Sequence, residues 1–182
     1  QLVENYKNGF SSFSLIGPYG TGKSAFLWAF EHQLNSGFPF FELKQDDFHD
    51  IKKFQIINFV GDYSSFMESF ANKFKIKKFK SPDDIVKGFS EYYNKTISED
   101  ELLIIALDEF GKHLEYTAAN DPEKEMYFIQ LLTEFINDKD NNILFISVLH
   151  QNFDSYGESL NFHQRQEWNK VRGRLKELPF NE

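Results

Sequence analysis

The segment Gly17-Pro18-Tyr19-Gly20-Thr21-Gly22-Lys23-Ser24 carries the strongest chemical signal in the chain. It fits the pattern G-x-x-x-x-G-K-[ST] at every position, and Ala25 continues the same candidate phosphate site. Glycines at 17, 20 and 22 let a backbone turn tightly and approach an anion with no Cβ in the way. N–H groups from Gly20 to Ser24 would form an anion nest, and a helix opening near Lys23 would add its positive dipole end. Lys23 is placed to reach the β- and γ-phosphates of a nucleoside triphosphate, and Ser24 offers a hydroxyl to Mg²⁺.

Such a loop needs an acidic partner on a neighbouring strand. Asp108 ends the apolar run Leu102-Leu103-Ile104-Ile105-Ala106-Leu107, where it could hold a Mg²⁺ hydration shell. Glu109 follows directly, placed to act as general base on an attacking water. Further along, His150 and Gln151 close a second apolar run. Either could contact the γ-phosphate or the water, and either could be an ordinary polar strand end. Asn58, inside a third apolar run, is either a satisfied amide or a restraint on Glu109. Arg165, Arg172 and Arg174 are the only arginines. One of them could complete the site, in cis or on a neighbouring subunit, or all three could be tied up in local ion pairs.

Two rival chemistries start from the same residues. Asp108-Glu109-Phe110-Gly111 satisfies the D-x-x-G of GTP-binding proteins. Their guanine-reading N-K-x-D is missing: Asn94-Lys95-Thr96-Ile97 lacks the Asp and precedes the acidic strand. A small-molecule kinase would want an Arg-rich lid, and the arginines here are few and late. ATP with Mg²⁺ is therefore the expected ligand. His32, His49, His113 and His163 form no metal-binding spacing, so no protein metal site is expected beyond the nucleotide's own ion.

The elements that must position these groups can be read from periodicity. Residues 12–16 and 54–60 read as strands. Lys23 to Leu34 reads as a helix with Phe26, Leu27, Phe30 and Leu34 on one face. A helical stretch carries Phe66, Phe70 and Phe74, and Ser81-Pro82-Asp83-Asp84 opens another helix. Residues 102–107 and 143–149 read as strands buried on both faces. Between them, Asp121-Pro122-Glu123 starts a helix with Met126, Ile129, Leu132 and Ile136 inward. A polar helix with Trp168 and Val171 and a last strand at Leu178-Pro179-Phe180 follow. Strands alternating with helices predict an α/β fold: a three-layer α/β/α sandwich on a mainly parallel sheet.

Composition bounds the rest. The 182 residues suit one domain, and 41% hydrophobic with 26% charged residues is an ordinary globular balance. The net charge of −8 argues against tight non-specific nucleic-acid binding by the chain as a whole. Lys73-Phe74-Lys75-Ile76-Lys77-Lys78-Phe79-Lys80 is a local exception, readable as a solvated helix end or as a contact for nucleic acid or a partner. No cysteine is present, which excludes disulfides and suits a reducing cytoplasm. No run is long and apolar enough to span a membrane, and the start, Gln1, carries no signal-peptide pattern. The chain reads as one domain over 1–182 and as part of a longer protein.

Taken together, Gly17–Ser24, the strand ending in Asp108-Glu109 and the strand ending in His150-Gln151 resemble the additional-strand, catalytic-glutamate division of P-loop ATPases, which includes AAA+ and STAND proteins. The resemblance implies a parallel sheet in the order 5-1-4-3-2 with ATP at the C-terminal strand ends. It also implies a helical lid after the last strand, which does not appear before Phe180. More narrowly, Phe13–Phe26, Leu107–Tyr116 and Trp168–Arg174 resemble the ATPase domains of large bacterial phage-defence proteins of the BREX type. The implied function is an ATP-binding and ATP-hydrolysing module, weak in isolation, that drives or times a conformational change in a larger protein. Its partners would be other domains of the same chain, with a homo-oligomer possible through an arginine finger. A non-hydrolysing, nucleotide-dependent switch is the alternative of a different class.

Overall fold

The structure is a computed structural model that describes residues 1–43, 47, 48 and 50–180; His49 lies outside the described residues. The elements in chain order are α1 (Leu2–Lys7), β1 (Ser12–Ile16), α2 (Lys23–Ser36), β2 (Lys53–Val60), α3 (Phe66–Lys73), α4 (Pro82–Thr96), β3 (Glu101–Asp108), α5 (Phe110–Ala119), α6 (Pro122–Ile136), β4 (Ile143–Leu149), α7 (Phe153–Tyr156), α8 (Phe162–Arg172) and β5 (Lys176–Pro179).

Five strands form one sheet in the order β2-β3-β4-β1-β5, every pair parallel. This is the expected 5-1-4-3-2 order, read from the other edge. The strands β3 and β4 lie inside the sheet, and alternation along them divides the core. Leu103, Ile105 and Leu107 face the layer built by α3, α4, α5, α6 and α8. Leu102, Ile104 and Ala106 face the layer of α1 and α2, beside Leu27 and Phe30. Strands covered on both faces must be apolar throughout, which is why 102–107 and 143–149 have no polar alternation. The one hydroxyl inside β4, Ser147, is buried and pairs with Ser14 Oγ of β1 at 2.8 Å.

Helix starts follow local chemistry. Ser81 accepts from the Asp84 N–H while the Asp84 carboxylate accepts from the Ser81 N–H, a closed capping box with Pro82 in the first turn. Asn161 and Gln164 do the same for α8.

Three helices go beyond the sequence reading: α1, α7 and α5. The last matters most. It begins at Phe110 from Glu109, which has φ 57° and no side-chain cap, so none of the usual start signals is present. The register aligns Val60 with Asp108 and Ile16 with both Leu149 and Pro179. All chemistry-bearing strand ends therefore emerge on one edge of the sheet, where open α/β sheets place ligands. Among the described residues no helix is long and apolar enough to cross a membrane.

Candidate functional site: a phosphate loop facing an acidic pair

Between β1 and α2 the chain runs through the glycine segment. Gly20 and Gly22 have φ of 80° and 86°, the left-handed region in which a side chain is strained. Gly22 is also the N-cap of α2, and no side chain caps that helix. Its first-turn N–H groups are thus left to an external acceptor. Gly17 has a different reason to be glycine. A Cβ there would stand 2.5 Å from the Phe180 carbonyl oxygen, so this glycine lets β5 close against the loop. The Phe180 N–H donates to Ile16 O at 2.7 Å, which holds that approach.

Lys23 is buried, and its ammonium donates to the Gly17 and Pro18 carbonyls at 2.5 and 2.6 Å and to Thr21 Oγ1 at 3.2 Å. Burial pushes its pKa down, while Asp108 and Glu109 pull it up. The Thr21 hydroxyl donates in turn to Pro18 O at 2.9 Å. Tyr19 and Ala25 are exposed at the mouth of the loop.

The acidic pair closes on this loop. Ser24 Oγ donates to Asp108 Oδ2 at 2.6 Å, and the Glu109 N–H donates to Asp108 Oδ1 at 2.9 Å. A hydroxyl and a carboxylate oxygen side by side are the hard-oxygen donors that Mg²⁺ prefers, so these residues fit the ion. The left-handed backbone of Glu109 is uncommon for a residue with a side chain and costs on the order of 1–3 kcal/mol. A close neighbour holds it. Gly61, just past β2, donates its N–H to Asp108 O at 2.7 Å, and a Cβ at 61 would stand 2.4 Å from Glu109 O.

The Glu109 side chain is gripped from two sides. His150 Nε2 lies 3.1 Å from Oε1, and Lys112 Nζ lies 3.3 Å from Oε2. Burial would raise this carboxyl, but the hydrogen bonds and charges of His150 and Lys112 outweigh it and leave it below its ordinary value. His150 is itself clamped. Its ring stacks on Tyr19, with centroids 3.4 Å apart and an interplanar angle of 17°. Its backbone N–H donates to Tyr156 Oη at 3.3 Å. A run of contacts thus joins the phosphate loop to the candidate base: Tyr19, His150, Glu109, Lys112.

The structure separates the remaining candidates. Of the two residues after β4, His150 reaches Glu109, whereas Gln151 is exposed and its side chain bonds nothing among the described residues. Asn58 does not reach Glu109; its amide donates to Glu31 Oε2 at 2.6 Å, because β2 points it towards α2. The arginines are not brought to the loop. Arg172 pairs with Asp154 and with Glu177 at 3.3 Å, and Arg174 pairs with Glu134 at 2.6 Å. The register of Lys176 with Phe13 sets Arg172 and Arg174 towards the opposite edge of the sheet. Arg165 is held by the Leu160 and Glu158 carbonyls at 2.9 and 2.7 Å.

Gly111, the last residue of the GTPase-like D-x-x-G, lies inside α5. A Cβ there would stand 2.3 Å from Tyr156 Oη, so helix packing accounts for it. Gly61, Lys112 and Tyr156 were not legible as site residues. Only the spacing of Lys112 from Glu109, three residues on along a helix, could have signalled one of them.

The family described as "ATPase family associated with various cellular activities (AAA)" matches residues 13–168, from β1 to Trp168 of α8. The chain belongs to the AAA family of ATPases. This AAA domain therefore binds and hydrolyses ATP. Among solved structures it is similar to the Walker-type ATPase PABY2304 of Pyrococcus abyssi, at 14% identity and a TM-score of 0.47, over 98% of this chain and 51% of that one. It is also similar to Cdc6p from Pyrobaculum aerophilum, at 16% identity and a TM-score of 0.43, over 98% of this chain and 42% of that one. The chain thus spans about half, or less, of the structures it matches. A search of curated proteins finds no match.

Proposed function

We propose that Gly17–Ser24 hold the triphosphate of ATP, that Ser24 and Asp108 hold its Mg²⁺, and that Glu109 is the general base for hydrolysis. The observation that carries this reading is the meeting of Ser24, Asp108 and Glu109 at one strand edge beside the uncapped start of α2. Phosphate oxygens are better acceptors for Lys23 than the Gly17 and Pro18 carbonyls it now bonds, and the uncapped N–H groups of α2 add to the cradle. A bound Mg²⁺ would neutralise charge developing on the phosphates.

In the reaction, a water oxygen forms a bond to the γ-phosphorus while the bond from that phosphorus to the β–γ bridging oxygen breaks. ADP leaves, and the water's proton passes to the Glu109 carboxylate. The lowered pKa of Glu109 keeps it ionised and able to accept. His150 and Lys112 hold the carboxylate in place through one oxygen each and leave further lone pairs free for the water. His150 is the sensor in this reading, a residue that acts by positioning Glu109. The arginines have no role in the same subunit; use on a neighbouring site would require Arg172 to leave both of its ion pairs.

Hydrolysis at this site would drive or time a rearrangement in a larger protein. The link is direct, since a γ-phosphate that displaced Tyr19 or His150 would also move α7 through Tyr156. Service in bacterial phage defence rests on the sequence runs 13–26, 107–116 and 168–174 alone. Isothermal titration with ATP and GTP, each with Mg²⁺, tests the nucleotide assignment. ATP should bind more tightly, and Lys23→Ala should lose most of that binding. Equal affinity for the two nucleotides would remove the case for adenine, and intact binding by Lys23→Ala would remove the loop from the site.

A further inference from the structure

The residues between α3 and the end of α4 carry charge that the rest of the chain lacks. Residues 73–95 hold seven of the chain's 20 lysines and arginines but only three of its 28 acids. That stretch is therefore net +4, and the remainder is net −12. Among the described residues none of the seven lysines forms an ion pair, whereas Lys7, Lys52, Lys112, Lys170, Arg172 and Arg174 elsewhere all do.

The patch is built rather than frayed. Between the lysines, Phe74 is buried, and Ile76 and Phe79 pack against the core. Lys75 turns the chain with φ 58°, and Ile76 seats on Gly88 of α4, where a Cβ would meet its Cγ2 at 3.0 Å. Anchoring every apolar residue inward leaves Lys75, Lys77 and Lys78 facing out beside Lys87 and Lys95. Together they line a groove of about 480 Å³. Lys87 and Lys95 stand two turns apart on α4, about 12 Å. Asp84 also lines the groove, but its carboxylate is spent at the helix start, accepting from the Lys80 and Ser81 N–H groups at 2.8 and 3.1 Å. Glu91 is the one uncommitted carboxylate there.

We propose that this groove docks the phosphodiester backbone of a nucleic acid without reading its sequence. Lysine binds phosphate as a point charge, and five such charges on a fixed surface match a polyanion. A protein partner would want exposed aromatic anchors, which protein interfaces enrich while they deplete lysine. Here the aromatics turn inward, and Tyr92 is packed on Phe74 at 5.2 Å with its hydroxyl accepting from Gln55. No ring is left for base stacking, so the backbone alone is recognised. The acidic remainder repels the polyanion and restricts it to this face.

The inference does not depend on the nucleotide site and is tested without ATP. Fluorescence anisotropy of the whole chain with a labelled duplex of about 20 bp, at about 50 to 200 mM salt, reads the contacts directly. Full engagement of five lysines gives a slope of log K against log salt of about −4.5 on duplex and about −3.5 on a single strand. Lys78→Glu with Lys87→Glu should weaken binding by more than about tenfold, since each charge reversal removes a phosphate contact. The equal charge change Lys170→Glu with Lys176→Glu should leave binding nearly intact, and Glu91→Gln should tighten it. All five side chains are exposed, so these variants retain the fold.

No detectable binding at the lowest salt, or a slope shallower than about −1, overturns the proposal. So does equal loss in the two double variants. Displacement of the duplex by polyglutamate as efficiently as by unlabelled DNA at equal charge would reassign the groove to an acidic protein.

Discussion

Gly61→Ala tests how the end of β2 sets the geometry of the proposed base from outside every recognised motif. The new Cβ would stand 2.4 Å from Glu109 O, 2.9 Å from Glu109 C and 3.1 Å from His113 Cδ2. Ordinary contacts lie near 3.5 Å, so the overlap with backbone approaches about 1 Å. Neither side can swing away as a flexible side chain would. Relief must come from moving the backbone of Glu109, next to the Asp108 carbonyl that the Gly61 N–H holds. Overpacking of this kind costs about 1–3 kcal/mol, which in a domain of this size lowers Tm by roughly 2–12 °C. A shift of about 1 Å at a positioned base costs up to about a hundredfold in rate. The phosphate loop follows β1, two strands away from β3, and is not displaced. Steady-state ATPase assays with calorimetric ATP titration and a thermal melt separate the three effects. The expected result is a large fall in kcat, a much smaller change in ATP affinity and a modest fall in Tm. A variant that melts lower yet hydrolyses ATP at close to the wild-type rate would refute the role given to Gly61.

Three further outcomes follow from the same geometry. His150→Ala should lower kcat by about tenfold with ATP affinity nearly unchanged, and His150→Gln, whose amide can still donate to Glu109, should recover much of the loss; equal kcat in all three forms would remove the positioning role. Gly17→Ala should displace the end of β5, because its Cβ would sit 2.5 Å from Phe180 O, and a melting temperature equal to wild type would contradict that reading. Burial lowers the pKa of His113, against opposing pulls from its Ser64 carbonyl partner and Asp62. The unfolded chain then takes up the proton first as pH falls, so stability is full above the ordinary histidine pKa of about 6.5 and declines below it. His113→Gln should flatten this decline in melts from about pH 7.5 to 5, and an unchanged slope would assign the loss to other groups.

Much of the candidate site was legible because the chemistry proposed for it demands particular residue types. A phosphate cradle needs Gly20 and Gly22 at positive φ, and Ser24 and Asp108 are oxygen donors at the positions the loop and strand require. The buried strands were legible for an equally physical reason, since cover on both faces leaves no room for polar alternation at 102–107 or 143–149. What escaped was long-range. Gly61 reads as a turn residue until Glu109 O is seen against it. Gly17 reads as a phosphate residue until β5 is seen to need it. The helix α5 was hidden because its start is a strained Glu109 held by tertiary contacts, not by a capping residue. Asn58 was open between a satisfied amide and a restraint on Glu109 because its face is set by the direction of β2, and that direction gives it Glu31.

The proposed mechanism makes Glu109 the base of a site whose phosphate loop binds ATP without it. Glu109→Gln keeps nearly the same shape and removes the charge. Phosphate release and ATP titration on this variant therefore give the most direct test. Turnover should fall by at least about a hundredfold while ATP still binds with close to wild-type affinity. Turnover that survives the substitution would contradict the mechanism.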